Sequence, residues 1–296
     1  MTKADRQAFA SRPIRLRAAP LRWAFIGAVL VLLLLAVDLA RAADLPPDMA
    51  RILGSGELRV AMHREDQPPF FATGPKGELD GLDVALAQDI AAKLGLRVRF
   101  VRQAETFDGV VDAVARGEAD VAVSVLSRTL PRAQRVRFTT PYAELRQALL
   151  LSRLRTAPLR LDDDPASGLN RPGVRVGAVV GSAYVGFARE GFPAAETVLC
   201  ETWDAAIADL LAGQVHAVLY DDVEVRAWQK AHPEQSLYVK AVVLAGRPDP
   251  IAMAVHWRDT HWLAWLNLYL RTAADNGALA RMQRRYLKDD SGRGPP

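Results

Sequence analysis

Two stretches of this chain alternate between short apolar segments typical of strands and longer segments whose apolar residues recur at helical spacing. The first stretch has the order strand, helix, strand, helix, strand, at residues 58–62, 82–94, 98–100, 107–116 and 120–126. The second stretch, from 174 to 220, repeats that order. Helical crossovers make successive strands parallel and cover the sheet with helices. The sequence therefore predicts an α/β protein built from two such units.

Signals at helix ends and a C-terminal apolar face refine this prediction. Asp83 stands in the first turn of the segment 82–94, where a carboxylate caps free N–H groups, and Gly95 marks its end. A further helix is predicted near the C-terminus because large apolar residues recur there at helical spacing, at Trp262, Trp265, Leu266, Tyr269 and Leu270. A face of this size has to be buried, so we interpret it as core that packs on one unit.

The first 43 residues have the layout of an export signal. A basic stretch precedes the 14 apolar residues 24–37, and Ala40-Arg41-Ala42 then has the spacing of a cleavage site. The apolar run is shorter than the about 20 residues that span a bilayer, which favours a cleaved signal peptide over an uncleaved signal anchor. We expect a periplasmic protein whose membrane contact, if the leader is retained, is made through residues 24–37.

The positive charge of the chain is concentrated in that leader. The formal net charge is +4, but residues 1–43 hold seven Lys and Arg against two Asp and Glu, and 31 basic and 32 acidic side chains remain. No basic stripe with interleaved aromatic residues follows, so the composition predicts no nucleic-acid partner. Cys200 is the single cysteine of the sequence and cannot form an intrachain disulfide.

Eight segments, in order between residues 50 and 290, resemble the polar-amino-acid solute-binding proteins of ABC importers, the family 3 type. They are Pro69-Phe70, Gly81-Leu82-Asp83-Val84-Ala85-Leu86-Ala87, Gly117-Glu118-Ala119-Asp120-Val121, Ser127-Arg128-Thr129-Leu130-Pro131-Arg132, Phe138-Thr139-Thr140-Pro141-Tyr142, Val176-Gly177-Ala178-Val179-Val180-Gly181-Ser182, Tyr220-Asp221-Asp222 and Asp275-Asn276-Gly277-Ala278-Leu279. One such segment is a weak signal, whereas eight in register are specific.

The resemblance implies a two-lobed periplasmic-binding-protein fold of type II, with two crossover hinge strands that let the lobes close on a ligand. It divides the chain into lobe 1 (50–150 plus 250–290) and lobe 2 (151–249), with a disordered tail at 291–296. The outward crossing is expected near 148–151 and the return near 251–255, which gives the C-terminal helices to lobe 1.

Arg132 and Asp221 are the predicted partners of an α-amino acid. A guanidinium offers two parallel N–H donors to a carboxylate, and the resemblance favours Arg132 over the alternative of an ordinary surface arginine. Asp221 follows a strand, at the rim where open α/β sheets bind ligands, and its carboxylate suits an ammonium group. Two alternatives stay open, that Asp221 caps the next helix and that Asp222 takes its role.

Further ligand contacts are expected from Ser127, Ser182, Ala183 and Phe70. Ser127 ends a strand and offers a hydroxyl group. Ser182 and Ala183 lie at a strand-to-helix turn whose N–H groups favour an anionic group; relatives often carry a hydroxyl residue where Ala183 stands, so only its backbone can donate. Phe70 is expected to form a wall of the pocket, with a core position as the alternative.

Arg64 points to an acidic ligand. The segment His63-Arg64-Glu65 resembles the glutamate/aspartate-binding branch, in which this arginine pairs with the side-chain carboxylate. Val110 and Val125 argue in the other direction, because they stand where that branch has polar contacts. An acidic amino acid is therefore favoured within the broader class of small polar amino acids.

These features predict a non-enzymatic solute-binding protein that captures a small polar amino acid and delivers it to the permease of an ABC importer. A ligand sensor without transport and a cyclohexadienyl-dehydratase-like enzyme on the same fold are the alternatives. No Ser/His/Asp or Cys/His arrangement is present, and Asp162-Asp163-Asp164 lacks the spacing of a calcium loop. We therefore predict no catalytic residue, no cofactor and no metal.

Overall fold

The computed structural model describes residues 45–159, 161 and 165–287. The leader at 1–43, the three aspartates at 162–164 and the tail at 291–296 lie outside the described residues, so what was inferred for them stays a prediction. None of the helices in the described ranges combines the length and the apolar character required to cross a bilayer.

The strands are, in chain order, β1 (Glu57–His63), β2 (Ala72–Thr73), β3 (Leu79–Asp80), β4 (Arg97–Ala104), β5 (Val121–Ala122), β6 (Val136–Phe138), β7 (Ala143–Ser152), β8 (Arg175–Val179), β9 (Glu196–Cys200), β10 (Ala217–Asp221), β11 (Val239–Ile251) and β12 (Ala254–His256). The helices are α1 (Pro47–Gly54), α2 (Leu82–Leu94), α3 (Phe107–Ala115), α4 (Leu130–Ala133), α5 (Arg153–Thr156), α6 (Pro165–Leu169), α7 (Tyr184–Gly191), α8 (Trp203–Leu211), α9 (Asp222–Ala231), α10 (Thr260–Asp275) and α11 (Ala278–Tyr286), with 3₁₀ turns at Ala157–Leu159 and Pro233–Leu237.

The first sheet has the order β4-β1-β5-β12-β6. Its strands β4, β1 and β5 are parallel, as the strand–helix alternation predicts, while β12 runs antiparallel to β5 and β6. Helix α2 buries Leu82, Leu86 and Ile90 and ends at Gly95, whose φ of 69° is the left-handed conformation expected there. The strand expected at 120–126 pairs only over Val121–Ala122, because the chain bends away after Val123. We call the lobe around this sheet the first lobe.

The second sheet has the order β11-β7-β10-β8-β9. Strands β10, β8 and β9 are parallel, and β7 is antiparallel to both β10 and β11. The predicted second unit is therefore present, as a mixed rather than a wholly parallel sheet. Helices α7, α8 and α9 place Tyr184, Ile207 and Trp228 in its core. We call the lobe around this sheet the second lobe.

Strands β7 and β11 join the lobes. They pair antiparallel, from Ala143 opposite Ile251 to Ser152 opposite Val239, with a register shift between Val243 and Pro248. The chain crosses from the first lobe to the second before residues 148–151, where the crossing was expected, because those residues already pair with β10. The first residues of β7 pair with β11 alone, so the crossing strands meet there. Strand β12 then returns to the first sheet.

The C-terminal helices pack on the first lobe. Helix α10 buries Trp262, Leu266, Tyr269 and Leu270, so the predicted apolar face is core. The indole Nε1 of Trp262 donates a hydrogen bond of 3.0 Å to the backbone oxygen of Asp120. This contact joins helix α10 to the residue that directly precedes β5.

Asp120 is the most heavily bonded carboxylate of the first lobe among those described. Its Oδ2 accepts hydrogen bonds of 3.0 Å from the backbone N and from Nε of Arg59, and its Oδ1 accepts from Arg59 Nη2 at 2.8 Å and from Arg51 Nη1. Burial raises the pKa of Asp120, but the hydrogen bonds from Arg59 and Arg51 outweigh burial and leave the pKa below its ordinary value.

We expect Asp120→Ala to lower the free energy of unfolding by about 1.5–3 kcal/mol at neutral pH, because it removes a buried, charged acceptor of the hydrogen bonds from Arg59 and Arg51. A depressed native pKa stabilises the fold above the unfolded-state pKa of about 3.9, so the deficit should shrink as pH falls below about 4. Urea unfolding of both proteins at pH 7 and pH 3 measures it. Glu118→Ala, which removes an exposed ion pair with Arg116, is the control; equal stability losses in the two variants would contradict the role of Asp120.

Candidate functional site

A small polar cavity lies where the two lobes face each other, and residues of both lobes line it. Five of the seven predicted site residues line it. Ser127 and Arg132 come from the first lobe, and Ser182, Ala183 and Asp221 come from the second. The fold thus brings together groups that are about 90 residues apart in the sequence.

Two predicted site residues do not line this cavity. Arg64 is exposed and forms an ion pair with Glu105, itself 70% exposed, at the surface of the first lobe. Phe70 is 3% exposed and belongs to the core, which is the alternative interpretation of that residue. Any contact of Arg64 or Phe70 with a ligand stays a prediction.

Arg132 is buried, unlike the exposed arginines around it in the sequence. Thr129 caps helix α4 by accepting from the backbone N of Arg132, which holds that residue at the cavity wall. The guanidinium donates through Nε to Asp108 Oδ1 at 2.9 Å, through Nη1 to the backbone oxygen of Ser127 at 3.2 Å, and through Nη2 to that of Gly181 at 3.3 Å. Since Gly181 belongs to the second lobe, Arg132 links the lobes.

Gly181 forms the turn between β8 and α7 and packs against the start of α3, at Thr106 and Asp108. Its φ is 68°, and a Cβ there would lie 2.6 Å from the side chain of Thr106, so only glycine fits. Its backbone oxygen also accepts from the backbone N of Asp108 at 2.9 Å. The hydroxyl of Ser182 donates to the backbone oxygen of Val179 at 2.6 Å, so that hydrogen is used within the turn.

Asp221 both lines the cavity and caps helix α9. Its Oδ1 accepts from the backbone N of Val223 at 3.0 Å and of Glu224 at 2.8 Å. Capping therefore uses one oxygen and leaves Oδ2 for another partner. Burial, reinforced by nearby acidic groups, raises the pKa of Asp221 to about 7 despite the backbone hydrogen bonds. Asp222 is bound instead by Arg146 and Arg226 and does not line the cavity.

Asp249 is a cavity residue that the sequence did not indicate. It lies on β11 opposite Leu145 and is 1% exposed. Its Oδ2 accepts from Ser127 Oγ at 2.9 Å and from Tyr184 Oη at 2.7 Å. Burial raises its pKa to about 6, although these two hydrogen bonds oppose the rise. In the sequence, Asp249 stands between Pro248 and Pro250, a pattern typical of a turn, so its only distinctive signal is a lone charge just before the expected return segment.

Val125 lines the cavity in a strained conformation. Its φ is 43°, a value that β-branched residues rarely adopt. Its backbone N donates to Asp83 Oδ2 at 2.7 Å, and Tyr142 Oη donates to Asp83 Oδ1 at 2.7 Å. The expectation that Asp83 caps helix α2 is wrong, because its carboxylate is turned into the core by these two donors. Burial raises the pKa of Asp83 to about 7.

Two lobes that meet around a polar cavity and are joined by two paired strands are the architecture of proteins that bind a small ligand between their lobes. This chain belongs to the bacterial extracellular solute-binding proteins, family 3, whose family model matches residues 58–289. The resemblance to family 3 and the two-lobed fold predicted from the sequence are confirmed, whereas the resemblance to the glutamate/aspartate-binding branch stays a prediction.

Similar proteins include binding proteins and an enzyme. The ABC transporter arginine-binding protein 1 of Escherichia coli (strain K12) is 26% identical over 63% of this chain and 76% of its own length. The cyclohexadienyl dehydratase of Pseudomonas aeruginosa is 26% identical over 80% of this chain and 85% of its own. An ancestral arginine-binding protein, solved bound to arginine, is 27% identical with a TM-score of 0.63, over 78% of this chain and 98% of that one. Similar chains thus carry different functions.

We expect Val125→Gly to raise the melting temperature by a few degrees. Removing a strained non-glycine φ is worth about 1–3 kcal/mol, which exceeds the about 0.5–1 kcal/mol entropic penalty of glycine. Val123→Gly is the control, because Val123 is fully buried and has no positive φ; it should lower the melting temperature. A fall of similar size in both variants, measured by differential scanning calorimetry, would show that Val125 is not strained.

Proposed function

We propose that this protein captures a small polar amino acid between its lobes and delivers it to the permease of an ABC importer. The observation that carries the proposal is the placement of Arg132 and Asp221 on facing sides of one cavity. An α-amino acid has a carboxylate and an ammonium group, and each requires a charged partner once removed from water. In this proposal Arg132 binds the carboxylate and Asp221 the ammonium group.

The existing bonds of Arg132 are compatible with that role. Its two terminal nitrogens each carry two N–H groups and use one each, on the backbone oxygens of Ser127 and Gly181. One N–H on each nitrogen therefore remains for the parallel pair of bonds that a carboxylate accepts. The E. coli relative is an arginine-binding protein of an ABC transporter, which supports both an amino-acid ligand and an importer as partner.

The side chain of the ligand is the finer part of the proposal. The sequence favours an acidic amino acid through Arg64, whose guanidinium is paired with Glu105 outside the cavity. An acidic ligand requires Arg64 to leave that partner and reach the cleft. The carboxylates of Asp221 and Asp249, which line the cavity, oppose a second negative charge.

Domain organisation and location complete the proposal. We propose lobe 1 at 50–150 plus 250–290 and lobe 2 at 151–249, and the return of β12 to the first sheet supports the assignment of the C-terminal helices to lobe 1.

Family members are extracellular solute-binding proteins, which agrees with an exported protein in the periplasm. Cleavage of the leader gives a diffusing receptor, whereas retention of residues 24–37 gives a tethered one that suits ligand sensing.

A dehydratase is the second candidate function, beside the non-enzymatic protein that we propose. Two cavity carboxyls, Asp221 and Asp249, have pKa values raised to about 7 and about 6, so each can hold a proton near neutral pH as a general acid requires. The cyclohexadienyl dehydratase among the relatives supports this candidate. Incubation with a cyclohexadienyl substrate, followed for absorbance of an aromatic product, distinguishes catalysis from binding.

Among the twenty amino acids at millimolar concentration, we expect at least one to raise the melting temperature of the protein, since a ligand at 100 times its Kd adds about 2.7 kcal/mol to the native state. Arg132→Ala should abolish the rise, because the ligand carboxylate loses its partner. Arg135→Ala, which changes an exposed arginine of the same segment, should retain it. The absence of any rise in the wild type would refute the amino-acid proposal.

The acidic-ligand proposal expects Arg64→Ala to weaken the binding of glutamate or aspartate more than that of glutamine. The physical reason is that only an acidic side chain offers a carboxylate to the Arg64 guanidinium. Calorimetric titration of the three ligands against both proteins measures the difference. Arg99→Ala, another exposed arginine of the first lobe with a single acidic partner, is the matched control. Equal losses for all three ligands would leave Arg64 without a part in selectivity.

A further inference from the structure

We propose that Asp249 is a specificity residue of this cavity and binds a positively charged group on the ligand side chain. The ligand class is then the cationic amino acids, which carry a second ammonium or a guanidinium group. This inference rests on the proposed amino-acid function and deepens it by assigning the ligand's side chain.

The first observation is an unused oxygen. Oδ2 of Asp249 accepts from two hydroxyl groups, whereas its Oδ1 is buried and has no hydrogen-bond partner within the described part of the chain. A buried carboxylate oxygen without a donor is unfavourable, and native proteins rarely retain one without a reason. Because Asp249 lines the cavity, a ligand is placed to supply the missing donor.

The second observation is how the carboxylate is held. Ser127 donates to Oδ2 from the first lobe and Tyr184 from the second, so both hydroxyls bind the same oxygen. Tyr184 is itself fixed by stacking on Tyr220, with ring centroids 4.8 Å apart. Two rigid donors on Oδ2 restrict the rotation of the carboxylate and keep Oδ1 apart from them. Such preorganisation favours binding, because little freedom is lost when the ligand arrives.

The third observation is the balance of charge. The charged residues that line the cavity are Arg132, Asp221 and Asp249, and Arg132 already faces Asp108. Once the ammonium of the amino acid is assigned to Asp221, the nearest positive charge that acts on Asp249 is Arg132, which lowers its pKa but forms no ion pair with it among the described residues. A cationic side chain supplies one, a neutral side chain does not, and an acidic side chain adds repulsion.

A structural alternative is that Asp249 only ties the lobes together through Ser127 and Tyr184. That role would affect all ligands to a similar extent, because closure is common to them. A specificity role acts on the charge of the side chain alone. Arginine and citrulline separate the two roles, because they have nearly the same shape and differ in a guanidinium against a neutral urea group.

Calorimetric titration of the wild type and of Asp249→Asn with arginine and citrulline tests the proposal. We expect the wild type to bind arginine about tenfold or more tighter than citrulline, as a charge-assisted hydrogen bond implies. In Asp249→Asn the ratio should fall towards one through loss of arginine affinity, with citrulline little changed. Asp222→Asn, which removes a buried charge that does not line the cavity, should keep the wild-type ratio.

Three outcomes would overturn the proposal. The cationic class is refuted if the wild type binds citrulline, glutamine or glutamate as tightly as arginine. This test uses the wild-type protein alone and so does not depend on whether a variant folds. Equal loss of arginine and citrulline in Asp249→Asn shows a structural tie only. If no amino acid binds the wild type, the proposed function fails and this inference with it, whereas binding of neutral or acidic amino acids alone leaves that function standing.

Discussion

The pairing of β7 with β11 is the interaction on which the rest of the molecule depends. Strand β7 pairs with β10 on one side and with β11 on the other, so a single register places residues of both neighbours. It sets Asp221 opposite Gln147, and Asp249 opposite Leu145 two residues earlier on the same strand. A slip of one residue would turn every side chain to the opposite face. The two cavity carboxylates are therefore positioned by backbone hydrogen bonds, before any side chain contributes.

Local sequence patterns were sufficient to predict the strands and helices of the two sheets. They were not sufficient to predict contacts between residues that are far apart in the sequence. The alternation of apolar segments, the helix end at Gly95 and the buried face of α10 follow from interactions within a few residues, and all three are confirmed. Asp249 depends on a partner strand about 100 residues away, and its flanking prolines indicate a turn when considered alone. Asp83 shows the same limit, because its position predicts a helix cap while its partners, at Val125 and Tyr142, lie about 40 and 60 residues further along the chain.

Residue type and position in a motif identified five of the residues that line the cavity, yet they did not determine the charge of the cavity. Arg132 and Asp221 follow from chemistry that every α-amino acid shares, and both lie at the cavity. Selectivity between ligands depends on side chains that differ between relatives. The strength of their effect on a charged ligand depends on whether the side chain is exposed or buried. Arg64 is in a suitable segment, but its partner Glu105 lies at the surface, where an ion pair contributes little and is screened by salt. A buried carboxylate such as Asp249 acts through a lower effective dielectric, so its electrostatic interaction with a charged ligand is stronger.

Under the proposed function, ligand recognition and closure of the lobes use the same groups. Arg132 contacts the backbone oxygen of Gly181 across the cleft, and Asp249 accepts a hydroxyl from each lobe. A ligand can shift the balance between open and closed lobes only by as much as it binds the closed form more tightly. In the proposed mechanism, a ligand that satisfies the remaining N–H groups of Arg132 and Oδ1 of Asp249 binds the closed form preferentially, because both residues contact the second lobe across the cavity. If Asp249 selects a cationic side chain as proposed, the charge that selects the ligand also couples its binding to closure of the lobes.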